Sequence, residues 1–436
     1  MRKGRLFLIL FNVLGLLLAA FLISGILASL RMRSRLDDGH FFALKDGRYV
    51  SVNPLMVRQE FDAEKDPSEF RIFVLGYSQA MGSPYVHQDN DKVADLFNLL
   101  VMPNEGGIST WLKDYFSLIY PGRKIKVVNA ALAMTGFEKG IGVYEQVLKE
   151  GKPDLVVLLT HVRRAADDKE RRALSRSLLD RAVSLADSTG TEVYVLTVPS
   201  NIRDWVPDGP QSPSVARAIE LCSSGQAAQG FALLGKGRPA SAPEFYGRAK
   251  CLDASGDYEK ARAMYIAAKD AEDDPASNRP PGYWNDMVRG IPKGGKARPL
   301  DMERLFFALS PQGIPGFNLF HDGIHLTLRG NALAAREIAL FYAREHSLPP
   351  ATADALYAYK PALYGNLRLK TLYALKALKW LRSSYHAEND AARQANTGAV
   401  SRRYLLTPRE ECDMLDYEIN FRKQLLKEEA AGKGGQ

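Results

Sequence analysis

A serine and a histidine suited to form a catalytic pair lie far apart in the 436-residue chain. Ser78 lies in residues 76–82 (GYSQAMG), directly after an apolar run, and residues 321–325 (HDGIH) contain Asp322 and His325. An aspartate and a histidine three residues apart on a turn can face the same way. We therefore expect the Asp322 carboxylate to hold the His325 imidazole, leaving its other nitrogen to take a proton from Ser78. This chemistry is nucleophilic attack by a serine.

Each half of this pattern also has a structural explanation. A serine in a strand-to-helix loop often caps the helix, and an aspartate before a helix can do the same. The two halves carry weight only together, in a chain whose elements bring them to one place.

Those elements are short apolar runs that alternate with helical patterns. The runs are near-continuous rather than alternating, which is typical of strands buried on both faces. Repeated strand–helix–strand spacing predicts a parallel sheet with right-handed crossovers, an α/β fold that binds ligands at the carboxyl ends of its strands. The predicted strands are 71–75, 126–129, 154–160 and 192–198, and the predicted crossover helices are 91–118, 137–150 and 168–188.

Residues 206–282 break this alternation, since they show helical periodicity and no strand pattern. Residues 245–268 have the spacing of a tetratricopeptide-type helix pair, and residues 215–234 look like a degenerate partner with Gly225 at its turn. We predict a two- or three-helix insertion docked on the sheet. Within it, Cys222 and Cys251 form either a disulfide or two buried thiols.

The two ends of the chain differ from this central part. Residues 6–30 contain no charged residue and are long enough to cross a bilayer as a helix. We predict an uncleaved anchor with the bulk of the chain outside the cytoplasm, then a juxtamembrane stalk with little regular structure. A basic amphipathic stretch at 367–385 lies either on a membrane or partner surface or against its own domain.

Composition excludes some classes of protein. The net charge is +8, but no compact Lys/Arg block is interleaved with aromatics, so we expect no nucleic-acid binding. The three cysteines lack zinc-site spacing, and we expect no metal and no cofactor.

Several stretches of the chain together resemble the SGNH (GDSL-like) hydrolases, in particular a bacterial membrane-anchored subgroup with a tetratricopeptide-like insertion. The resemblance covers about residues 70–345. It implies a flavodoxin-like three-layer fold, with Ser78 as nucleophile, His325 as base and Asp322 as its orienting residue. The matching stretches are 76–82 (GYSQAMG), 127–131 (VVNAA), 154–161 (DLVVLLTH), 198–201 (VPSN), 313–317 (GIPGF) and 322–327 (DGIHLT).

The same resemblance implies an oxyanion hole made by the backbone N–H groups of Ser78 and Ala131, with Asn129 and His161 as neighbours. Together with the patterns at the two ends of the chain, which the resemblance does not cover, it predicts an anchor (1–35), a stalk (36–68), a hydrolase-like first part (69–205), a tetratricopeptide-like insertion (206–282), a hydrolase-like last part (283–350) and a helical basic extension (351–436).

Two positions depart from the family pattern. The family commonly has an asparagine in its third block that completes the oxyanion hole, whereas here Val162 and Arg163 follow His161. Losing one such donor costs about 100- to 1,000-fold in rate. Tyr77 replaces the acidic residue of the first block.

Two functions remain open at this point. One is a serine esterase or O-acyltransferase that acts on O-acyl groups of a cell-envelope glycan or lipid-linked substrate, with a membrane-bound O-acyltransferase as a plausible partner. The other is a catalytically impaired scaffold in an envelope complex, residing at the inner membrane with its bulk in the periplasm in either case.

Overall fold

A computed structural model describes residues 41–348, apart from 54, 84–85, 87–106, 134, 163–167, 208–211, 273–278 and 321. The predicted anchor (1–35) and the predicted C-terminal extension (351–436) lie outside the described residues. No helix in the described ranges is long and apolar enough to cross a membrane.

A five-stranded parallel sheet forms the centre of the molecule, which confirms the predicted α/β class. Its strands, in chain order, are β4 (Glu69–Gly76), β5 (Lys124–Asn129), β6 (Leu155–Leu159), β7 (Glu192–Leu196) and β8 (Ala297–Leu300). Their order across the sheet is β5-β4-β6-β7-β8. The first four of these five strands match the predicted ones to within two residues at each end.

The edge strand β8 was not predicted from the sequence. Its four residues, ARPL, include an arginine and a proline, so they carry no apolar run. Proline is tolerated there because an edge strand leaves one row of backbone groups unpaired. The strand pairs with β7, and Pro299 lies opposite Val195.

Helices cover the sheet in two groups, as a three-layer arrangement requires. Each group buries its apolar side against the strands, in one continuous core. The predicted helix 137–150 has the bounds expected, and only the last part of the predicted helix 91–118 falls among the described residues. One group contains α2 (Ile108–Ile119), α10 (Met302–Leu309) and α11 (Leu328–Glu345), and the other contains α3 (Phe137–Glu150), α4 (Asp168–Thr189) and α9 (Gly282–Arg289).

The prediction of a stalk with little regular structure is wrong for residues 42–62. Three antiparallel strands form there: β1 (Phe42–Lys45), β2 (Arg48–Ser51) and β3 (Glu60–Asp62). They are docked on the main core, because the Phe61 ring packs edge-on to Phe73 at 5.1 Å. These strands are only three or four residues long and mix aromatic with polar residues, so their sequence shows no strand pattern and resembles that of a linker.

The described residues of the insertion form four helices rather than the two or three predicted. They form two successive helix pairs, whose turns have Gly225 and Gly256 at φ +80° and +82°, conformations that favour glycine. The insertion has a core of its own, which includes Ile202 and Ile314 from loops of the α/β domain. We predicted that the insertion docks on the sheet, but it packs on these loops. Its helices are α5 (Pro213–Ser223), α6 (Ala227–Leu234), α7 (Ala242–Ala254) and α8 (Tyr258–Asp270).

A disulfide joins Cys222 of α5 to Cys251 of α7, which decides between the two alternatives left open by the sequence. It links the first helix pair to the second. Gly230 of α6 lies directly against both sulfurs, where a Cβ atom would clash.

Candidate active site

Ser78 follows the carboxyl end of β4, where the order in which strands are added to the sheet reverses. The strand after β4 in the chain, β5, lies on one side of it and β6 lies on the other. Crevices at such switch points are where open α/β sheets bind ligands. Ser78 begins the short helix α1 (Ser78–Met81), so its N–H group is not used by that helix.

A sharp turn at Gly76 presents this serine. Gly76 has φ +148°, and a Cβ atom there would clash with Leu159 O and lie 2.7 Å from the Ala80 Cβ. Only glycine therefore lets the chain leave β4 beside β6 and enter α1 at this angle.

Asp322 and His325 approach Ser78 from a turn that precedes α11. Asp322 Oδ1 accepts the backbone N–H groups of Ile324 (2.8 Å) and His325 (2.7 Å), which fixes the turn. The His325 Nδ1–H donates to Asp322 Oδ2 at 2.5 Å. The Ser78 hydroxyl lies 2.8 Å from His325 Nε2, although the two residues are 247 positions apart. The structure thus brings the three sequence-predicted residues into one hydrogen-bonded chain.

The charges of Asp322 and His325 determine where the protons lie in the hydrogen-bonded series Ser78–His325–Asp322. Burial acts to raise the pKa of Asp322, but the His325 charge and the hydrogen bonds from His325 and Ile324 outweigh it and lower that pKa to about 2. An ionised Asp322 can only accept hydrogen bonds, so Nδ1 carries the imidazole proton and Nε2 is free to accept. Burial acts to lower the pKa of His325, and the Asp322 charge and hydrogen bond raise it above its ordinary value.

This raised pKa predicts the pH dependence of serine reactivity. Protonated His325 cannot take the Ser78 proton, so the rate should rise with pH through a midpoint above the ordinary histidine value of about 6.5. The rate of labelling by a fluorophosphonate, measured from about pH 5 to 8, checks this. A midpoint at or below the ordinary value would contradict the Asp322–His325 coupling.

Ala131, the second expected oxyanion donor, lies in the loop after β5. Its N–H donates to Asn129 Oδ1 at 3.4 Å, near the limit of a hydrogen bond. Asn129 is itself held, because its Nδ2 donates to Met81 O at 2.9 Å. Asn129 thus connects the loop of Ala131 to α1, and the Ala131 N–H can exchange its long bond to Asn129 Oδ1 for one to another oxygen acceptor.

His161 lies two residues after the end of β6 and packs against Tyr77. It is buried, its Nδ1 is 2.9 Å from Val162 O, and its ring meets Tyr77 edge-on at 4.9 Å. The Tyr77 hydroxyl is buried with no hydrogen-bond partner among the described residues, and burial raises its pKa well above the usual range. Thr160, His161 and Val162 supply no side-chain amide for an oxyanion, and Arg163 lies outside the described residues.

Residues 55–57 border this site, although the sequence placed them in a stalk. Ala133 N–H donates to Leu55 O at 2.9 Å, and Met56 bridges to Leu132. The loop of Ala131 is thereby held from outside the sheet. Three consecutive apolar residues, Leu55, Met56 and Val57, were the available signal, and all three are buried.

A cavity of about 630 Å³ lies elsewhere, between α8, α9 and α10, and none of Ser78, Asp322 and His325 lines it. Much of its wall is charged, and several of those charges pair with each other: Lys269 lies 3.6 Å from Glu303, and Arg289 lies 3.0 Å from Asp286. We take the Ser78 site as the candidate active site on geometry, since the described residues that line the cavity include no comparable nucleophile–base contact.

No protein-family model matches the chain, and no curated protein matches it. In the described ranges, no three His, Cys, Asp or Glu side chains are grouped as metal ligands.

Proposed function

We propose that this protein is a serine esterase or O-acyltransferase of the SGNH type. The observation that carries the proposal is the unbroken contact chain from Ser78 through His325 to Asp322 at the switch point of the sheet. We also propose that the α/β domain has the SGNH fold and that the helix pairs of the insertion are tetratricopeptide-like.

The geometry supports acyl transfer in two steps. Ser78 Oγ attacks the carbonyl carbon of an O-acyl ester while its proton passes to His325 Nε2. The N–H groups of Ser78 and Ala131 are the proposed donors to the oxyanion that develops. The C–O bond to the alcohol then breaks, the alcohol takes the proton from His325, and the acyl group remains on Ser78. Water or a second hydroxyl, deprotonated by His325, then attacks the acyl carbon. The bond from that carbon to Ser78 Oγ breaks, and the His325 proton returns to Oγ.

We further propose an envelope substrate, an O-acylated glycan or a lipid-linked one, outside the cytoplasm. The uncharged stretch at residues 6–30 supports a membrane anchor, and the Cys222–Cys251 disulfide supports an oxidising compartment. A membrane-bound O-acyltransferase as partner is a proposal that comes from the family resemblance.

A catalytically impaired scaffold is the second candidate. The observation that favours it is the end of β6, where Thr160, His161 and Val162 offer no oxyanion amide. In this reading the insertion and the loops around it serve a partner protein, and the Ser78–His325 contact is a remnant.

Labelling of the full-length protein in detergent with a fluorophosphonate separates the two functions. Activated Ser78 displaces fluoride and forms a covalent bond to phosphorus. We expect labelling in the wild type and none in Ser78→Ala, because Ser78 supplies the hydroxyl that contacts His325 Nε2. A folded wild type that stays unlabelled would favour the scaffold.

A further inference from the structure

The nucleophile and its base are carried by different elements, and one segment contacts both. Ser78 follows β4, whereas His325 precedes α11. Residues 198–205, which we name the bridge segment, follow β7 and run between them. Because the bridge segment contacts both elements, its contacts help to fix the 2.8 Å distance between Ser78 Oγ and His325 Nε2.

On the nucleophile side, the bridge segment contacts the residue next to Ser78. Gln79 is fully buried, and its Nε2 donates to Pro199 O at 3.2 Å. The preceding residue, Val198, is clamped by the side chain of Asn285, which accepts its N–H at 2.8 Å and donates to its carbonyl at 3.1 Å. This end of the segment is therefore anchored to the α/β core through α9.

On the base side, the bridge segment contacts the turn that carries Asp322 and His325. Asn201 N–H donates to Gly323 O at 2.9 Å. A Cβ atom on Gly323 would lie 3.1 Å from Trp205 Nε1 and 3.3 Å from Arg279 Cγ. The turn thus rests directly on the Trp205 ring and on the Arg279 side chain.

Arg279 comes from the end of the segment that links the insertion to α9. It is buried, and it pairs with Glu272, which is also buried and lies just after α8. Its guanidinium donates to Asn201 O at 3.0 Å and to Trp205 O at 3.4 Å. The Arg279 side chain therefore contacts three parts of the molecule: the end of the insertion at Glu272, the bridge segment, and the turn that carries Asp322 and His325.

We propose that Arg279 is a positioning residue, through which the helical insertion sets the placement of His325 relative to Ser78. Gln79 acts on the same segment from the nucleophile side. The proposal rests on the proposed function, and it gives the insertion a role in the reaction of the site. Misplacement of a catalytic group by about 1 Å can cost about 100-fold in rate, so loosening this clamp should be visible in the kinetics.

The test uses Arg279→Lys and Gln79→Met in the full-length protein. Lysine keeps a charge for Glu272 but cannot reach both carbonyls in the same geometry. Methionine has nearly the volume of glutamine and removes the bond to Pro199 O. The cost of losing that bond is offset in part, because the buried Gln79 Oε1, which has no partner among the described residues, is removed as well. We expect each variant to lower the fluorophosphonate labelling rate per folded molecule by about 10- to 100-fold. The pH midpoint should stay unchanged, since the Asp322–His325 pair is intact.

Arg71→Lys is the matched control. Arg71 is also a fully buried arginine paired with a buried glutamate, Glu69, at 2.5 Å, but it lies near the start of β4, away from Ser78. It should lose stability and keep the wild-type labelling rate per folded molecule.

Hydrogen–deuterium exchange of residues 322–327 gives a readout that needs no activity. Exchange there should accelerate in Arg279→Lys and not in Arg71→Lys. Wild-type labelling and exchange rates in both Arg279→Lys and Gln79→Met would overturn the positioning role and leave the proposed function standing. An unlabelled wild type would remove the proposed function, and the exchange data would still decide whether Arg279 holds the turn.

Discussion

Asp322→Asn is expected to slow the acylation of Ser78 by about 10⁴-fold, the size of effect seen when a triad aspartate is replaced in this way. Asparagine can keep its Oδ1 bonds to the N–H groups of Ile324 and His325, so the turn should survive. Its amide nitrogen would then face His325 Nδ1 and donate to it. The imidazole proton would move to Nε2, which could no longer accept the proton of Ser78.

The rate of fluorophosphonate labelling, together with the thermal midpoint, checks this expectation. Asp257→Asn is the matched control, because Asp257 also accepts a backbone N–H, that of Lys260, but lies in the insertion. It should label at the wild-type rate. If Asp322→Asn labelled within about tenfold of the wild type, the carboxylate would not be orienting the base.

Gly76→Ala is expected to destabilise the fold by about 3 kcal/mol, because its φ of +148° is strained for any L residue and its Cβ would clash with Leu159 O. Relief requires β4 or β6 to shift exactly where Ser78 is presented. The labelling rate of the molecules that still fold should therefore fall as well. Denaturant unfolding and labelling of the same preparation measure the two effects.

Gly140→Ala provides the comparison. Gly140 lies inside α3, and a Cβ atom there would meet only the Phe137 ring at an ordinary 3.6 Å. Alanine favours a helix interior over glycine by about 0.5–1 kcal/mol, so this variant should be as stable as the wild type or more so, and equally reactive. Equal behaviour of the two variants would show that the turn at Gly76 is not tight.

Much of the sheet could be predicted because its strands are buried on both faces. Residues 72–75 (IFVL) of β4 and all five residues of β6 (LVVLL) form continuous apolar runs, which are typical of strands buried on both faces. The strands β1–β3 and β8 were missed for the opposite reason, since they are short, lie outside the centre of the main sheet and carry polar residues. Local periodicity reports burial on a regular element, and short edge elements have little of it.

The proposed chemistry of the site could be inferred from residue types. Ser78 after a strand and Asp322 three residues before His325 already indicate a nucleophile with an oriented base. Those roles follow from side-chain chemistry and from a three-residue spacing, both of which are local properties of the chain.

The partners of that site were decided by the tertiary structure alone. No local pattern places Arg279 on Gly323, joins Leu55 to the loop of Ala131, or brings Ser78 and His325 to 2.8 Å across 247 positions. Such contacts depend on how the sheet, its loops and the insertion pack together. In a close-packed interior, the distance between two elements depends on the volumes of all the side chains that lie between and around them. A pattern within a single helix or strand carries no information about those other side chains.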